Sequence, residues 1–217
     1  MKTGSIIFFI ALTLSLQTKA QTITTHEVPL TGKAKEVNVA KDNKAVQQLS
    51  KKNYTKNKPL IDTILKHPND YNPVVFYTLS AVLFKADKKD EAAFWFYVAQ
   101  LRARYDFNRC NDGSTAGTIA VLNSTFGPPI NQYAIKNLDT LEKMIGRVID
   151  FVKNNQENYD QRWINLDGMG VMTASLGGKD DIAMSKPEDA WPAIKAETLK
   201  TYYEGFQEAM ESMRKKN

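Results

Sequence analysis

The stretch from Asn72 to Cys110, NPVVFYTLSAVLFKADKKDEAAFWFYVAQLRARYDFNRC, carries the densest apolar surface in the chain and reads as two helices joined by a short charged turn. Asn72 is a good N-cap, and Pro73 suits the first helical position, where a missing N–H costs nothing. Val75, Phe76, Leu79, Val82 and Leu83 then recur at three- and four-residue steps, the helical period. Ala86-Asp87-Lys88-Lys89-Asp90 interrupts the apolar run, and Asp87 or Asp90 can cap a second helix starting near Glu91. From Ala92 to Ala99 the second helix is apolar nearly all round, through Phe94, Trp95, Phe96, Tyr97 and Val98. A helix of that kind in a soluble protein must be central, covered by other helices. Past Gln100 polar residues return, and Arg102 and Asp106, four apart, read as a solvated pair stabilising the helix by about a few tenths of a kcal/mol.

The same residues resemble one tetratricopeptide or Sel1-like repeat unit. Phe76, Leu79, Ser80 and Leu83 fall at the spacings of the family's first helix, and Ala92, Phe96 and Ala99 at those of its second. Arg104 departs from the pattern, standing where the family usually has a proline. The resemblance covers residues 73–106, about the length of one such repeat, and no second copy with this register is found. An ordinary antiparallel helix pair packed through small residues accounts for the same spacing. A helical repeat implies a protein-binding role.

Met1 to Ala20 has the pattern of a secretory signal peptide: Lys2 at the start, an apolar core from Ile6 to Leu16, and Thr18-Lys19-Ala20 before the expected cleavage between Ala20 and Gln21. That core is too short to span a bilayer, and no later stretch approaches the length of a transmembrane helix. The expected destination is the periplasm or the extracellular space. After cleavage, 197 of the 217 residues remain, enough for one domain with a real core. Cys110 is the only cysteine, so no intramolecular disulfide forms, and a buried thiol is expected.

Gln21 to Lys58 is polar with little periodicity, and its eight lysines (33, 35, 41, 44, 51, 52, 56 and 58) face only Glu27, Glu36 and Asp42, giving +5. It reads as a poorly ordered arm, a solvated tether or a weak electrostatic contact for an anionic surface through Lys33–Lys58. Nucleic acid is not the expected partner, because the arm has no arginine and few interleaved aromatics.

The helical domain is therefore expected over 59–217. A helix starting at Asn57-Lys58-Pro59 carries Leu60, Ile61, Ile64 and Leu65 and ends near His67-Pro68. Thr115 to Asn123 reads as a short helix, Gly127-Pro128-Pro129 as a break, and Ile130 to Ile135 as another turn or two. Asn137 caps a long helix from Leu138 to about Lys153, with Leu141, Ile145 and Val148 toward the core. Residues 163–186 show no clear period, and Gly168-Met169-Gly170 reads as loop glycine at positive φ. Ser185-Lys186-Pro187-Glu188 starts a last helix, split at Pro192, whose stripe runs through Ile194, Leu199, Tyr202, Tyr203, Phe206, Met210 and Met213. The fold class that follows is all-α, an irregular antiparallel helical array in one domain.

The catalytic inventory is thin. Two histidines and one cysteine, far apart, do not make a zinc site or a cysteine–histidine pair, and no metal or cofactor is expected. Asn53-Tyr54-Thr55 and Asn123-Ser124-Thr125 fit a glycosylation tripeptide short enough to arise by chance. The leading functional expectation is an exported, non-catalytic module of a bacterial-type envelope that binds a protein or peptide, with an inhibitor or immunity-type protein as one specific form. The alternative is a hydrolase of envelope polymers using two of Asp106, Asp112, Asp160 and Asp167. The candidate binding residues are Tyr97, Gln100 and Arg104, which share one helical stripe, with Arg109, Asp112, Arg162 and Trp163 brought near by a compact fold. Tyrosine, tryptophan and arginine are the residues that most often dominate binding hot spots. The competing expectation is an internal network in which Asp106, Asp112 or Asp160 pairs with these arginines.

Overall fold

In the computed structural model, which describes residues 30–177 and 183–215, the chain forms eight α-helices: α1 (Ala40–Lys51), α2 (Tyr54–Lys66), α3 (Pro73–Lys85), α4 (Lys89–Arg109), α5 (Ala116–Ala134), α6 (Leu138–Asn154), α7 (Met169–Ser175) and α8 (Trp191–Arg214). Short 3-10 turns join several of them, and the described residues contain no strand, only an isolated bridge between Cys110 and Ser185. None of the described helices is long and apolar enough to cross a membrane. The expected signal peptide and its cleavage point lie outside the described residues.

Helix α4 is the centre of the array, in contact with α3, α5, α6 and α8. Ala92, Ala93, Phe96, Val98, Ala99, Leu101 and Ala103 are all fully buried along it. It begins after Lys88 with no side-chain cap, and Asp87 takes up the turn at φ 61° instead of capping. Against it lies α3, capped by Asn72 through the Val74 N–H and buried at Phe76, Leu79, Ser80 and Leu83. Trp95 stacks on Phe76 at 5.0 Å between ring centroids, and Phe151 of α6 meets Trp95 edge-on at 5.5 Å. Aromatic pairs in these geometries contribute beyond their buried area.

Three sequence expectations change. First, residues 40–58 are not a poorly ordered arm: α1 packs on α3, and the helical domain starts near Ala40 rather than at 59. Asp42, Ala45 and Leu49 share the inner face of α1, and Asp42 accepts a 2.8 Å hydrogen bond from the Asn72 N–H. Asn57, fully buried, donates to the carbonyls of Leu49 and Lys52 and so locks α2 onto the end of α1. A polar anchor, Asp42, stands where an apolar repeat would have announced α1, while α2, expected from Asn57, begins earlier at Tyr54 with Pro59 inside it.

Second, α5 runs unbroken through Gly127-Pro128-Pro129. A proline in a helix leaves the carbonyl four residues back without its donor. Here those carbonyls belong to Ser124 and Thr125, which are exposed, so water can take the place of the missing N–H groups. Gly127 lets α5 press on α4: a Cβ there would stand 3.1 Å from the Phe96 ring.

Third, α8 starts at Trp191, and Pro192 sits in its first turn rather than splitting it, where it has no donor to lose. The long helix capped by Asn137 forms as expected, Asn137 accepting from the Thr140 N–H.

Truncating Phe96 to alanine is expected to cost about 3–5 kcal/mol and Leu49 to alanine about 2–5 kcal/mol in denaturant unfolding. A loss under about 0.5 kcal/mol for Leu49→Ala, the range of surface substitutions, would return α1 to the status of a tether.

Candidate functional site

The outward stripe of α4 carries Tyr97, Gln100 and Arg104 into a groove of about 450 Å³ bounded by α5, α6 and α8. Its floor is apolar, from Leu141, Ile145, Phe206 and Met213, with Ile135 half exposed at one edge. Its polar lining residues are held by a neutral ladder that runs behind them to Tyr77 and Asn123. The Tyr77 hydroxyl donates to Asn123 Oδ1 at 2.8 Å and Gln100 Nε2 donates to the same oxygen at 3.2 Å. Tyr202 in turn donates to Gln100 Oε1 at 2.9 Å, and Tyr97 donates to Asn131 Oδ1 at 3.0 Å.

Burial pushes the Tyr97 phenol up to about 12 and raises Tyr77 and Tyr202 further, so all three act as neutral donors and none as a base. The Arg104 guanidinium is exposed at the rim, 5.5 Å over the Tyr202 ring, with no carboxylate within salt-bridge distance among the described residues. The groove lining contains that single cation and no acid. Such a surface can hold a ligand; it holds no general base for a reaction.

Arg109 and Trp163 lie elsewhere, in the interior. Both converge on Asp106, which is 1% exposed. Arg109 binds Asp106 Oδ1 through Nη2 at 2.6 Å and Nε at 3.2 Å, while Tyr159 and Trp163 donate to Oδ2 at 2.9 and 2.7 Å. The guanidinium is flanked by the rings of Tyr105 and Trp191, 4.2 and 4.7 Å away. Burial raises the Asp106 carboxyl above its usual range against the pull of Arg109 and Trp163.

Arg102 is also fully buried and is not the solvated partner of Asp106 that the sequence implies: it donates to the Pro68 carbonyl and to Asn69 Oδ1 at 2.9 and 2.6 Å. Its Nε stands 3.9 Å from Glu157, which pairs with Lys195 of α8 at 3.2 Å. This interior network ties the end of α4 to the segment 155–163 and to α8.

Arg162 and Asp112 are engaged locally. Arg162 holds Asp160 at 2.8 and 2.9 Å, and Asp160 also accepts from the Asn38 N–H at 3.0 Å. Asp112 accepts from the Ser114 N–H and hydroxyl and from the Gly170 N–H. A Cβ on Gly168 would overlap the Asp112 carboxylate, so glycine stands there for close approach at φ −82°, not for a positive φ. Cys110 is buried as expected, its thiol 3.0 Å from Asn165 Oδ1 and raised by burial, an unreactive arrangement.

Of the seven candidate residues, the structure places Tyr97, Gln100 and Arg104 in the groove, brings Arg109 and Trp163 together on Asp106 in the interior, and keeps Arg162 and Asp112 apart from both. Asn131 and Tyr202 complete the groove, Asn123 braces Gln100 from behind it, and none of the three was singled out. The available signal was two asparagines eight apart on one helix. Among the described residues no cluster of three histidine, cysteine or acidic side chains is placed to hold a metal.

Burial alone would raise Asp160 and Asp112, but their donors hold both carboxyls below the usual range. A carboxyl lowered in the folded state stabilises fully above the unfolded value, about 3.9, and loses that contribution as pH falls through the lower folded value. Asp160→Asn is therefore expected to lose about 1–2 kcal/mol at pH 7 and to show a shallower fall in thermal stability than the parent below about pH 4. An unchanged acid limb in that variant would contradict the assignment.

No protein-family model, curated protein or solved structure matches the chain.

Proposed function

We propose that the protein is an exported, non-catalytic helical binding module, and that its protein or peptide partner docks in the groove between α4, α5, α6 and α8. The observation that carries this reading is the composition of the groove: among the described residues, one guanidinium without a carboxylate partner above an apolar floor, beside neutral hydroxyls and amides, with no acid in the lining. Tyrosine and arginine at the edge of a concave apolar surface are the usual anchors of a binding hot spot. Export rests on the pattern of residues 1–20. An inhibitor or immunity-type protein is one form of this proposal. Burial of Phe76, Leu79, Ser80, Leu83, Ala92, Phe96 and Ala99 between α3 and α4 supports the likeness to a single helical repeat unit within it. The lysines of α1 and α2, on the solvent side, offer a weaker second contact for an anionic surface.

The hydrolase alternative finds less support. Glycosidic hydrolysis needs two carboxyls facing one bond. Asp106, Asp112 and Asp160 are each occupied by donors of their own neighbourhood.

Intact-mass measurement of the exported protein is expected to show a chain beginning at Gln21; a mature chain that retains Ile6 to Leu16 would sink the export proposal. With the mature protein as bait in an envelope extract of its own cell, Arg104→Ala is expected to lose a reproducible stoichiometric partner while changing stability by no more than about 0.5 kcal/mol. Arg162→Ala, away from the groove, is expected to lower stability by about 1 kcal/mol or more and to keep the partner. The reverse pattern would move the binding surface to the Arg162 side.

A further inference from the structure

Resting on the proposal that a protein partner docks in this groove, we infer that the partner supplies an acidic side chain from within its chain, placed on Arg104, beside an aliphatic side chain that enters the apolar floor. The charge argument comes first. Among the described residues Arg104 is the only charged group lining the groove, so a ligand gains most by bringing one negative charge to the rim and none to the floor. The guanidinium lies over Tyr202 and has no carboxylate within salt-bridge distance among the described residues. Covered on one face only, it keeps N–H edges free for a two-point contact with a carboxylate.

The geometry separates charge from apolar contact. Arg104 is exposed, whereas Leu141, Ile145 and Tyr202 below it are 3%, 1% and 8% exposed. A segment that lays its backbone along the rim can drop an aliphatic side chain to the floor while a neighbouring glutamate reaches Arg104. The Asn131 side chain, exposed beside Tyr97 and accepting through Oδ1, has no acceptor for its amide nitrogen among the described residues. It is therefore free to donate to a carbonyl of that backbone.

A terminal carboxylate fits less well. Proteins capture chain termini in nests of free backbone N–H groups. The charged and polar residues of this groove sit in the middle of α4, α5 and α8, where each backbone N–H is spent inside its own helix. One arginine with neutral side chains around it suits a side-chain carboxylate.

The test uses two blocked peptides, acetyl-Leu-Ala-Ala-Glu-Leu-amide and its glutamine counterpart, titrated into isotope-labelled mature protein while the Arg104 guanidinium and the Gln100 and Asn131 amide signals are followed by NMR. The glutamate peptide is expected to bind at least about tenfold more tightly, the factor set by one charge-assisted contact. Arg104→Ala is expected to abolish that preference, and Arg162→Ala to preserve it. Equal affinity for the two peptides, no binding of either, or tighter binding by a third peptide, the glutamine sequence with a free C-terminal carboxylate, would overturn the inference. In any of these cases, loss of the captured envelope partner in Arg104→Ala leaves the binding-module proposal standing. Retention of that partner in Arg104→Ala would defeat both the inference and the groove as its docking surface.

Discussion

Helix α4 has to be covered on every side, and most of the architecture follows from meeting that demand. Its apolar residues leave no face for water, so α3, α5, α6 and α8 close round it. Full burial of side chains such as Phe96 and Leu101 stabilises by about 1.5–3 kcal/mol each. The same burial makes every polar group on the helix costly unless it is paired. Asp106 and Arg109 answer by pairing with each other and with Tyr159 and Trp163, and Arg102 by reaching Pro68 and Asn69. These contacts fix where the segments before α3 and after α6 cross the end of α4.

The groove is the place where that cover is incomplete. Tyr97 and Gln100 still satisfy their polar atoms against Asn131, Asn123 and Tyr202, so the wall is fixed before any ligand arrives. Arg104 lies one turn further along and escapes to the surface. Under the proposed binding role, a wall fixed in advance would spend little ordering energy on a ligand, and Arg104 has no carboxylate within salt-bridge distance among the described residues.

Much of this fold was legible in the sequence where apolar period and capping agreed. The pair α3–α4 was readable from Asn72-Pro73 and the runs at 75–83 and 92–99, and α6 from Asn137 and the period that follows it. Legibility failed where polar residues hold elements together. Asp42 and Asn57 anchor α1 and α2 from inside, and a pattern reading assigns such residues to solvent. Arg102 and Asp106 failed for the same reason, since helical spacing matched a surface pair while each had a better partner elsewhere. The prolines of α5 misled because their cost depends on whether the carbonyls of Ser124 and Thr125 reach water. One helix stripe carries Tyr97, Gln100 and Arg104 into one groove, as their spacing along α4 implies. Arg109, Asp112, Arg162 and Trp163 lay beyond what spacing along a single helix reports, as did the contributions of Asn123, Asn131 and Tyr202.

The most direct test of the groove as the working surface is hydrogen exchange of the mature protein with and without its captured partner. Added protection is expected around residues 97–104, 131–135 and 202–206, with the α1–α2 surface unchanged. Protection confined to residues 33–58 or 160–191, with the groove unaffected, would contradict the account.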